Sequence, residues 1–124
     1  MYAEAESARD EVILWALVDW VPLDRIHDWV AAEHSAESIS VIRANTLELI
    51  RSLVADGLFI VGDLTGEGSR FVAWDCTLDE SMQRIRRKYV DAFEDDGWWR
   101  WFCWLEATER GVRVARALEA KLLE

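Results

Sequence analysis

The chain has 124 residues, of which 52% are hydrophobic, and its formal net charge is −10. This length and apolar content predict one domain over residues 1–124 with a core of its own, and they exclude an intrinsically disordered chain. The negative charge opposes binding to membrane phosphates, acidic substrates and nucleic acid, and it favours a basic partner. We therefore expect no membrane binding and no nucleic-acid binding by the protein on its own.

The cellular location follows from the absence of two signals. No apolar run approaches the roughly 20 residues that span a bilayer. The N-terminus, Met1 to Glu6, lacks the pattern of a signal peptide. These observations predict a cytoplasmic protein, in which the isolated Cys76 and Cys103 are small core residues rather than a disulfide.

The first predicted helix opens at Ser7 and Asp10, whose spacing is a variant of the capping box, and runs to about Trp20. The run from Val12 to Val18 leaves almost no polar face, which indicates a helix buried on more than one side. An alternative is that the part around Trp15 forms a homodimer contact.

Pro22 marks the start of a second helix, because proline suits the first turn. Its two histidines, His27 and His34, are seven residues apart and could share a face with Asp24. A zinc site would need more ligands around one point. We therefore expect both histidines to be exposed to solvent, with a metal site as the minor alternative.

The central stretch predicts a helix from Ser38 to Gly57 followed by a β-hairpin. Apolar residues recur at helical spacing, and Gly57 can adopt the left-handed conformation that closes a helix. Leu58–Leu64 and Arg70–Trp74 are rich in β-branched and aromatic residues, as strands are. The glycine-containing segment between them predicts the turn of a hairpin.

A fourth helix is predicted to open at Thr77 and Glu80, which again have capping-box spacing. Its apolar stripe comprises Leu78, Met82, Ile85, Tyr89 and Phe93. Four basic residues, Arg84, Arg86, Arg87 and Lys88, lie beside acids at helical spacing. This predicts a solvated face whose charges neutralise one another, with a phosphate-binding patch as the alternative.

The segment Trp98–Leu105 is the most aromatic of the chain, and we expect it to form a third strand. Alternation would send Trp99, Trp101, Cys103 and Leu105 one way, and Trp98, Arg100, Phe102 and Trp104 the other. One face would enter the core. The other would be covered internally or offered to a partner or ligand, since tryptophan and arginine are enriched in interface hot spots. A last helix, Glu109 to Leu123, would be capped by Thr108.

Three predicted helices, the segment Leu53–Phe59 and a hairpin resemble the winged-helix proteins. Leu105–Gly111 resembles a helix entry common in those families, and Val61–Leu64 with Phe71–Asp75 resembles small, poorly characterised acidic actinobacterial proteins. The resemblance covers about Leu23 to Leu118. It implies an α+β, winged-helix-like domain of four or five helices with a small antiparallel sheet of about three strands. By analogy, some small acidic proteins of this kind are immunity partners of toxins.

The chain departs from DNA-binding winged helices in its charge. Such proteins need basic residues on the third helix and the wing. Here Arg43 and Arg51 on the third helix are offset by Glu48 and Asp56. On the wing, Arg70 faces two acids. The attraction to phosphates that dominates DNA affinity is therefore absent or inverted.

No catalytic motif is present: there is no phosphate-binding glycine loop, no nucleophile elbow and no zinc-binding or redox motif. We therefore expect no catalytic residues, no cofactor, no metal and no enzymatic activity. The leading hypothesis is a protein-binding module, most specifically an immunity protein or antitoxin that covers the active site of a basic toxin. The alternatives are a winged-helix transcription regulator with weak or partner-dependent DNA binding, and a small-ligand binder that uses the tryptophan-rich strand.

The expected partner-binding residues combine acids with exposed tryptophans. They are Asp63, Glu67, Asp91, Glu94, Asp95, Asp96, Trp98 and Trp99. Acids would steer the encounter with a basic protein, and tryptophans would supply most of the binding energy.

Overall fold

The computed structural model describes residues 7–67, 70–92 and 97–123, and in these residues α-helices pack with one antiparallel sheet. The helices are α1 (Ala8–Trp15), α2 (Leu23–Glu33), α3 (Ile39–Ala55), α4 (Leu78–Arg86) and α5 (Glu109–Leu122), and the strands are β1 (Val21–Pro22), β2 (Phe59–Thr65), β3 (Arg70–Ala73) and β4 (Trp104–Ala107). A π-helical turn, Arg87–Asp91, continues α4, and a 3₁₀ turn, Trp98–Trp101, precedes β4. The predicted α+β class is confirmed. The winged-helix identity stays a prediction.

Four helices begin where a hydroxyl side chain accepts a hydrogen bond from the first helical turn. Ser7, Ser38, Thr77 and Thr108 cap α1, α3, α4 and α5 in this way. At α4 the Glu80 carboxylate also accepts from the Thr77 backbone N–H, which completes the predicted capping box. Local signals in the sequence therefore set these helix starts.

The sheet has the strand order β1-β4-β2-β3. The predicted hairpin forms, because β2 pairs with β3 from Gly62–Ala73 to Thr65–Arg70. Strand β4, which comes much later in the chain, inserts between β1 and β2, and Leu105 stands opposite Val21 on one side and Val61 on the other. The last strand of the chain is therefore central in the sheet.

The core lies between the helices and one face of the sheet. Ile50 and Leu53 of α3 are fully buried, together with Leu105 of β4 and Ile85 of α4. The largest fully buried side chain is Tyr89, on the π-helical turn. The central helix thus packs towards the sheet, as its apolar periodicity predicts.

Helix α5 is held against the end of α3 by a close backbone approach. A Cβ at Gly111 would lie 2.1 Å from the carbonyl oxygen of Leu58, so that position has no room for a side chain. Thr108 donates its backbone N–H to the same carbonyl, at 3.0 Å, and its hydroxyl to the carbonyl of Gly57, at 2.6 Å. These contacts fix the start of α5 beside the first residues of β2.

The first helix is shorter than predicted, because it ends at Trp15 rather than near Trp20. The chain then turns in order to enter β1. Val12 and Ile13 are buried, as expected for an apolar helix, but Val18 is 69% exposed. The prediction of burial on several sides is therefore wrong for the end of the apolar run.

The tryptophan-rich segment is not one long strand, and only its end joins β4. Gly97 adopts a left-handed backbone with φ of 76°. In the turn that follows, the N–H of Arg100 donates to the carbonyl of Gly97, and the N–H of Phe102 donates to that of Trp99, so each hydrogen bond joins residues three apart. In a 3₁₀ turn, residues i and i+3 share a face, so the predicted alternation of side chains does not occur. Trp98 and Trp101 therefore point the same way.

Within the described residues, no helix combines the length and apolar character needed to cross a bilayer.

The stability contrast between a core and a surface position tests this packing. Leu53→Ala should lower the unfolding free energy by about 2–5 kcal/mol, because a fully buried leucine leaves a cavity. Arg86→Ala should cost less than about 0.5 kcal/mol, because Arg86 is exposed. Denaturant titrations of both variants measure the difference, and equal losses would contradict the packing described here.

Candidate interaction surface

The 3₁₀ turn places two tryptophans on the surface and a third in the core. Trp98 is 67% exposed and Trp101 is 51% exposed, whereas Trp99 is only 2% exposed. Three residues per turn put Trp98 and Trp101 on one side and Trp99 on another. The buried side chain thus holds the exposed pair in position.

Trp99 packs into a junction of α2 and the π-helical turn. Its ring centroid lies 4.8 Å from that of His27 and 5.0 Å from that of Tyr89. The guanidinium of Arg100 lies 4.7 Å from the Trp99 ring and pairs with the Asp24 carboxylate at 2.5 Å. The expectation that Trp99 is available to a partner is therefore wrong, because this side chain anchors the turn.

His27 is buried, so the expectation of a solvent-exposed histidine is wrong at this position. Its Nδ1 lies 2.5 Å from the Tyr89 hydroxyl, which also makes a side-chain hydrogen bond with Thr46. The Thr46 hydroxyl donates to the Ile42 carbonyl at 2.8 Å. A polar network thus runs through the core and joins α2, α3 and the π-helical turn.

The spacing of His27 from the apolar residues of α2 already indicates that it is buried. His27 lies four residues after Leu23 and three before Val30, and both of these are buried. It therefore belongs to the apolar stripe of the helix rather than to its polar face. His34, at the end of α2, is half-exposed and contacts Glu33 at 3.6 Å.

Burial shifts the titration of three groups near this junction. Desolvation lowers the pKa of His27 below its ordinary value, with opposing contributions from neighbouring charges. Desolvation raises the pKa of Tyr89 to about 12 and that of the Cys103 thiol to about 12. All three groups are therefore favoured in their neutral forms. The core placement expected for cysteine is confirmed at Cys103, while Cys76 is half-buried.

Aromatic stacking continues from the 3₁₀ turn onto the sheet. Trp101 stacks on Trp104 with a centroid distance of 5.9 Å and an interplanar angle of 24°. Trp20 stacks on Phe71 at 6.5 Å and 23°. The Trp20 indole donates to the Glu106 carboxylate at 3.2 Å. Trp20, Phe71 and Glu106 are not among the predicted site residues, because only the sheet pairing brings them together.

The predicted acids fall in two places. Asp63 on β2 and Glu67 at the hairpin turn are exposed, and Glu67 has a positive φ of 62°. Asp91 is exposed at the end of the π-helical turn, which packs against the 3₁₀ turn through Tyr89 and Trp99. The other predicted acids, Glu94, Asp95 and Asp96, lie outside the described residues. Asp91 thus lies two residues after Tyr89, whose ring packs on Trp99, whereas Asp63 and Glu67 lie on the hairpin.

The most exposed positions of α3 carry no basic residue, and its two arginines are partly buried. Its exposed positions are Ile39, Ser40, Val41, Ala44, Glu48 and Ala55. Arg43 is partly buried and donates to the Val90 carbonyl at 3.1 Å. Arg51 pairs with Asp79 at 2.9 Å. Both arginines of this helix therefore make contacts within the protein.

The basic cluster spans the end of α4 and the start of the π-helical turn. Glu80 is held by the capping box, and Arg84 instead lies over the Trp74 ring, 3.8 Å from its centroid. In the described part of the chain, neither Arg84 nor Arg87 forms an ion pair. Arg84, Arg87, Lys88 and Phe102 line an open depression of about 280 Å³.

Comparisons with known proteins do not extend this picture: no family model matches the chain, and no curated protein or solved structure matches it significantly. In residues 7–67, 70–92 and 97–123, no three His, Cys, Asp or Glu side chains are grouped so that they could hold a metal ion. The candidate site is therefore defined by its own geometry, as a surface of exposed tryptophans beside an acid.

The burial of His27 predicts a specific pH dependence of stability. Its folded-state pKa lies below the ordinary value of 6.5, so below pH 6.5 the unfolded chain takes up a proton that the folded chain resists. The unfolding free energy should have its full value above pH 6.5. It should fall as the pH is lowered below that value, by up to about 1.4 kcal/mol per pH unit.

Denaturant titrations between pH 7.5 and 5.5 measure this effect. His27→Gln, which cannot titrate, should lose most of the slope, and the matched variant His34→Gln should keep it because His34 is on the surface. The same slope in both variants would show that another group causes the pH dependence.

Proposed function

We propose that the protein is a non-catalytic binding module for a basic protein partner. In its most specific form it is an immunity protein or antitoxin that covers the active site of a basic toxin. The observation that carries the proposal is the pair of exposed tryptophans, Trp98 and Trp101, held by the buried Trp99 beside Asp91 on a chain of net charge −10. The expected cytoplasmic location belongs to the same proposal.

An aromatic side chain that is already restricted in the free protein loses little conformational entropy when a partner binds to it. The stacking of Trp101 on Trp104 and the anchoring of Trp99 both restrict the turn before any partner arrives. Tryptophans of this kind are typical hot spots, and truncating one costs about 2 kcal/mol or more. These contacts support a surface that is ready to bind rather than one that orders on binding.

The acids have a different role from the tryptophans. Charges at the edge of an interface speed association and favour partners of opposite charge. They contribute less to affinity than to these two properties. Asp91 ends the π-helical turn that packs against the tryptophan turn, and the hairpin acids Asp63 and Glu67 offer a second negative region. A toxin that binds an anionic substrate has a cationic groove, which these acids would complement.

A transcription regulator is the second candidate, and the order of α2, α3 and the β2–β3 hairpin favours it. The outward face of α3 argues against direct readout of DNA, since its arginines contact groups of the protein, Arg43 at the Val90 carbonyl and Arg51 at Asp79. We expect no duplex binding at physiological salt. Tight binding that weakens steeply with added salt, measured by fluorescence anisotropy, would promote the regulator to first place.

Partner binding tests the leading proposal. Copurification from native lysate should return a basic protein. With that protein in hand, Trp98→Ala should speed dissociation and weaken binding by about 2 kcal/mol or more. Asp91→Asn should mainly slow association and reduce its dependence on salt.

The matched control is Val114→Ala, which truncates an exposed apolar residue on α5 and should leave both rates unchanged. For a toxin partner, coexpression should rescue growth, and the double variant at Trp98 and Asp91 should fold but fail to rescue. Recovery of only nucleic acid or a metabolite, or full protection by the double variant, would contradict the proposal.

A further inference from the structure

The sheet has a second face that is not directed into the core. Strand alternation sends Phe59, Val61 and Leu105 inward, where they are buried. The neighbouring positions point the opposite way and form what we call the outer face: Ile60, Gly62, Leu64, Phe71, Ala73, Trp104 and Glu106. Ile60, near the middle of this face, is 39% exposed.

Gly62 allows the aromatic side chains of the outer face to approach one another. A Cβ at this position would lie 2.8 Å from Cζ of Phe71, so the tip of the Phe71 ring occupies the space above the glycine. Gly62 is paired directly with Trp104 on β4. The stacked pairs Trp20–Phe71 and Trp101–Trp104 therefore occupy adjoining parts of one surface.

Glu106 adds a negative charge to this aromatic surface. It stands opposite Ile60, two residues after Trp104, and the Trp20 indole donates to its Oε1. In the described part of the chain, no arginine, lysine or histidine forms an ion pair with it. The carboxylate is thus oriented by an aromatic neighbour while its charge remains uncompensated by the protein.

Elsewhere the protein covers its tryptophans with its own arginines. Arg25 lies 4.2 Å from the Trp15 ring centroid, Arg84 lies 3.8 Å from that of Trp74, and Arg100 lies 4.7 Å from that of Trp99. Tryptophan is the best aromatic partner for a cation. Among the described residues, no cation occupies the corresponding position over Trp20, Trp101 or Trp104.

Two kinds of ligand can stack on a partly exposed aromatic sheet face such as this one. Nucleic-acid bases do so in many proteins, but those surfaces also provide cations for the backbone phosphates. This face provides Glu106 instead, on a chain of net charge −10. A cationic side chain gains from the aromatic rings and from the carboxylate together.

We propose that the outer face binds an arginine or lysine side chain of a protein partner, which lies against the stacked aromatic pairs and is directed by Glu106. The inference rests on the proposed function, since it assumes a basic protein partner, and it names the side chain that the partner inserts. The cation makes a charge-assisted contact with the carboxylate, and its planar guanidinium or its extended aliphatic stem covers the rings.

The test uses the full chain and a short unstructured peptide that contains three arginines. Binding is measured from the indole N–H signals of the tryptophans by NMR. The control peptide has citrulline in place of arginine, which keeps the planar side chain and removes the charge. We expect saturable binding of the arginine peptide that weakens with salt, shifts of the Trp20 and Trp104 signals, and affinity at least about fivefold lower for citrulline.

Three variants locate the site. Glu106→Gln, Trp101→Leu and Trp104→Leu should each lower affinity for the arginine peptide by about threefold or more. Val41→Ala, an exposed apolar residue on α3, is the matched control and should leave affinity unchanged. If circular dichroism shows that Trp104→Leu does not fold, the isosteric change at Glu106 and the change at the more exposed Trp101 still test the site.

Equal binding of the citrulline peptide, unchanged affinity in the three variants, or tighter binding of a short oligo-dT than of the arginine peptide would each overturn the inference. The outcome is separable from that of the proposed function. A basic partner bound equally well by Glu106→Gln would refute the outer-face site alone. Arginine-peptide binding at this face, with no protein partner recovered from lysate, would refute the partner proposal and support the site.

Discussion

The burial of Trp99 against His27 and Tyr89 is the contact on which the arrangement of the surface depends. It joins α2, the π-helical turn and the 3₁₀ turn, and the hydrogen bond between Tyr89 and Thr46 extends the junction to α3. The backbone N–H of Leu23 donates to the carbonyl of Cys103 at 3.2 Å, directly after the turn. Because this junction is fixed, β4 enters the sheet in one register and the neighbouring tryptophans face solvent.

The position of β4 connects this junction to the outer face of the sheet. β4 lies between β1 and β2, so Trp104 and Glu106 stand beside residues from distant parts of the chain. Trp20, just before β1, reaches across to Glu106 and Phe71. The burial of Trp99 therefore also affects the opposite side of the sheet, because it positions β4 and so brings the aromatic pairs together there.

The described arginines cover some tryptophan rings and leave others without a cation over them. Arg25, Arg84 and Arg100 lie over tryptophan rings, while Arg43 and Arg51 contact other groups of the protein. These five arginines thus make contacts within the protein, and exposed acids remain on the hairpin and at the end of the π-helical turn. The surface that results combines negative charge with aromatic rings that are at least partly exposed.

The sequence by itself determined the features that depend on neighbouring residues: the helix caps, the apolar stripe of α3, the hairpin and the α+β class. These follow from local hydrogen bonding and side-chain periodicity, which act over a few residues. Only the tertiary structure decided that Trp98–Trp101 is a 3₁₀ turn, that His27 and Trp99 are buried together, and that Trp20 meets Glu106. A run of tryptophans is compatible with a strand as well as with a turn. The 3₁₀ turn forms here because it places the Trp99 side chain in the space beside Tyr89.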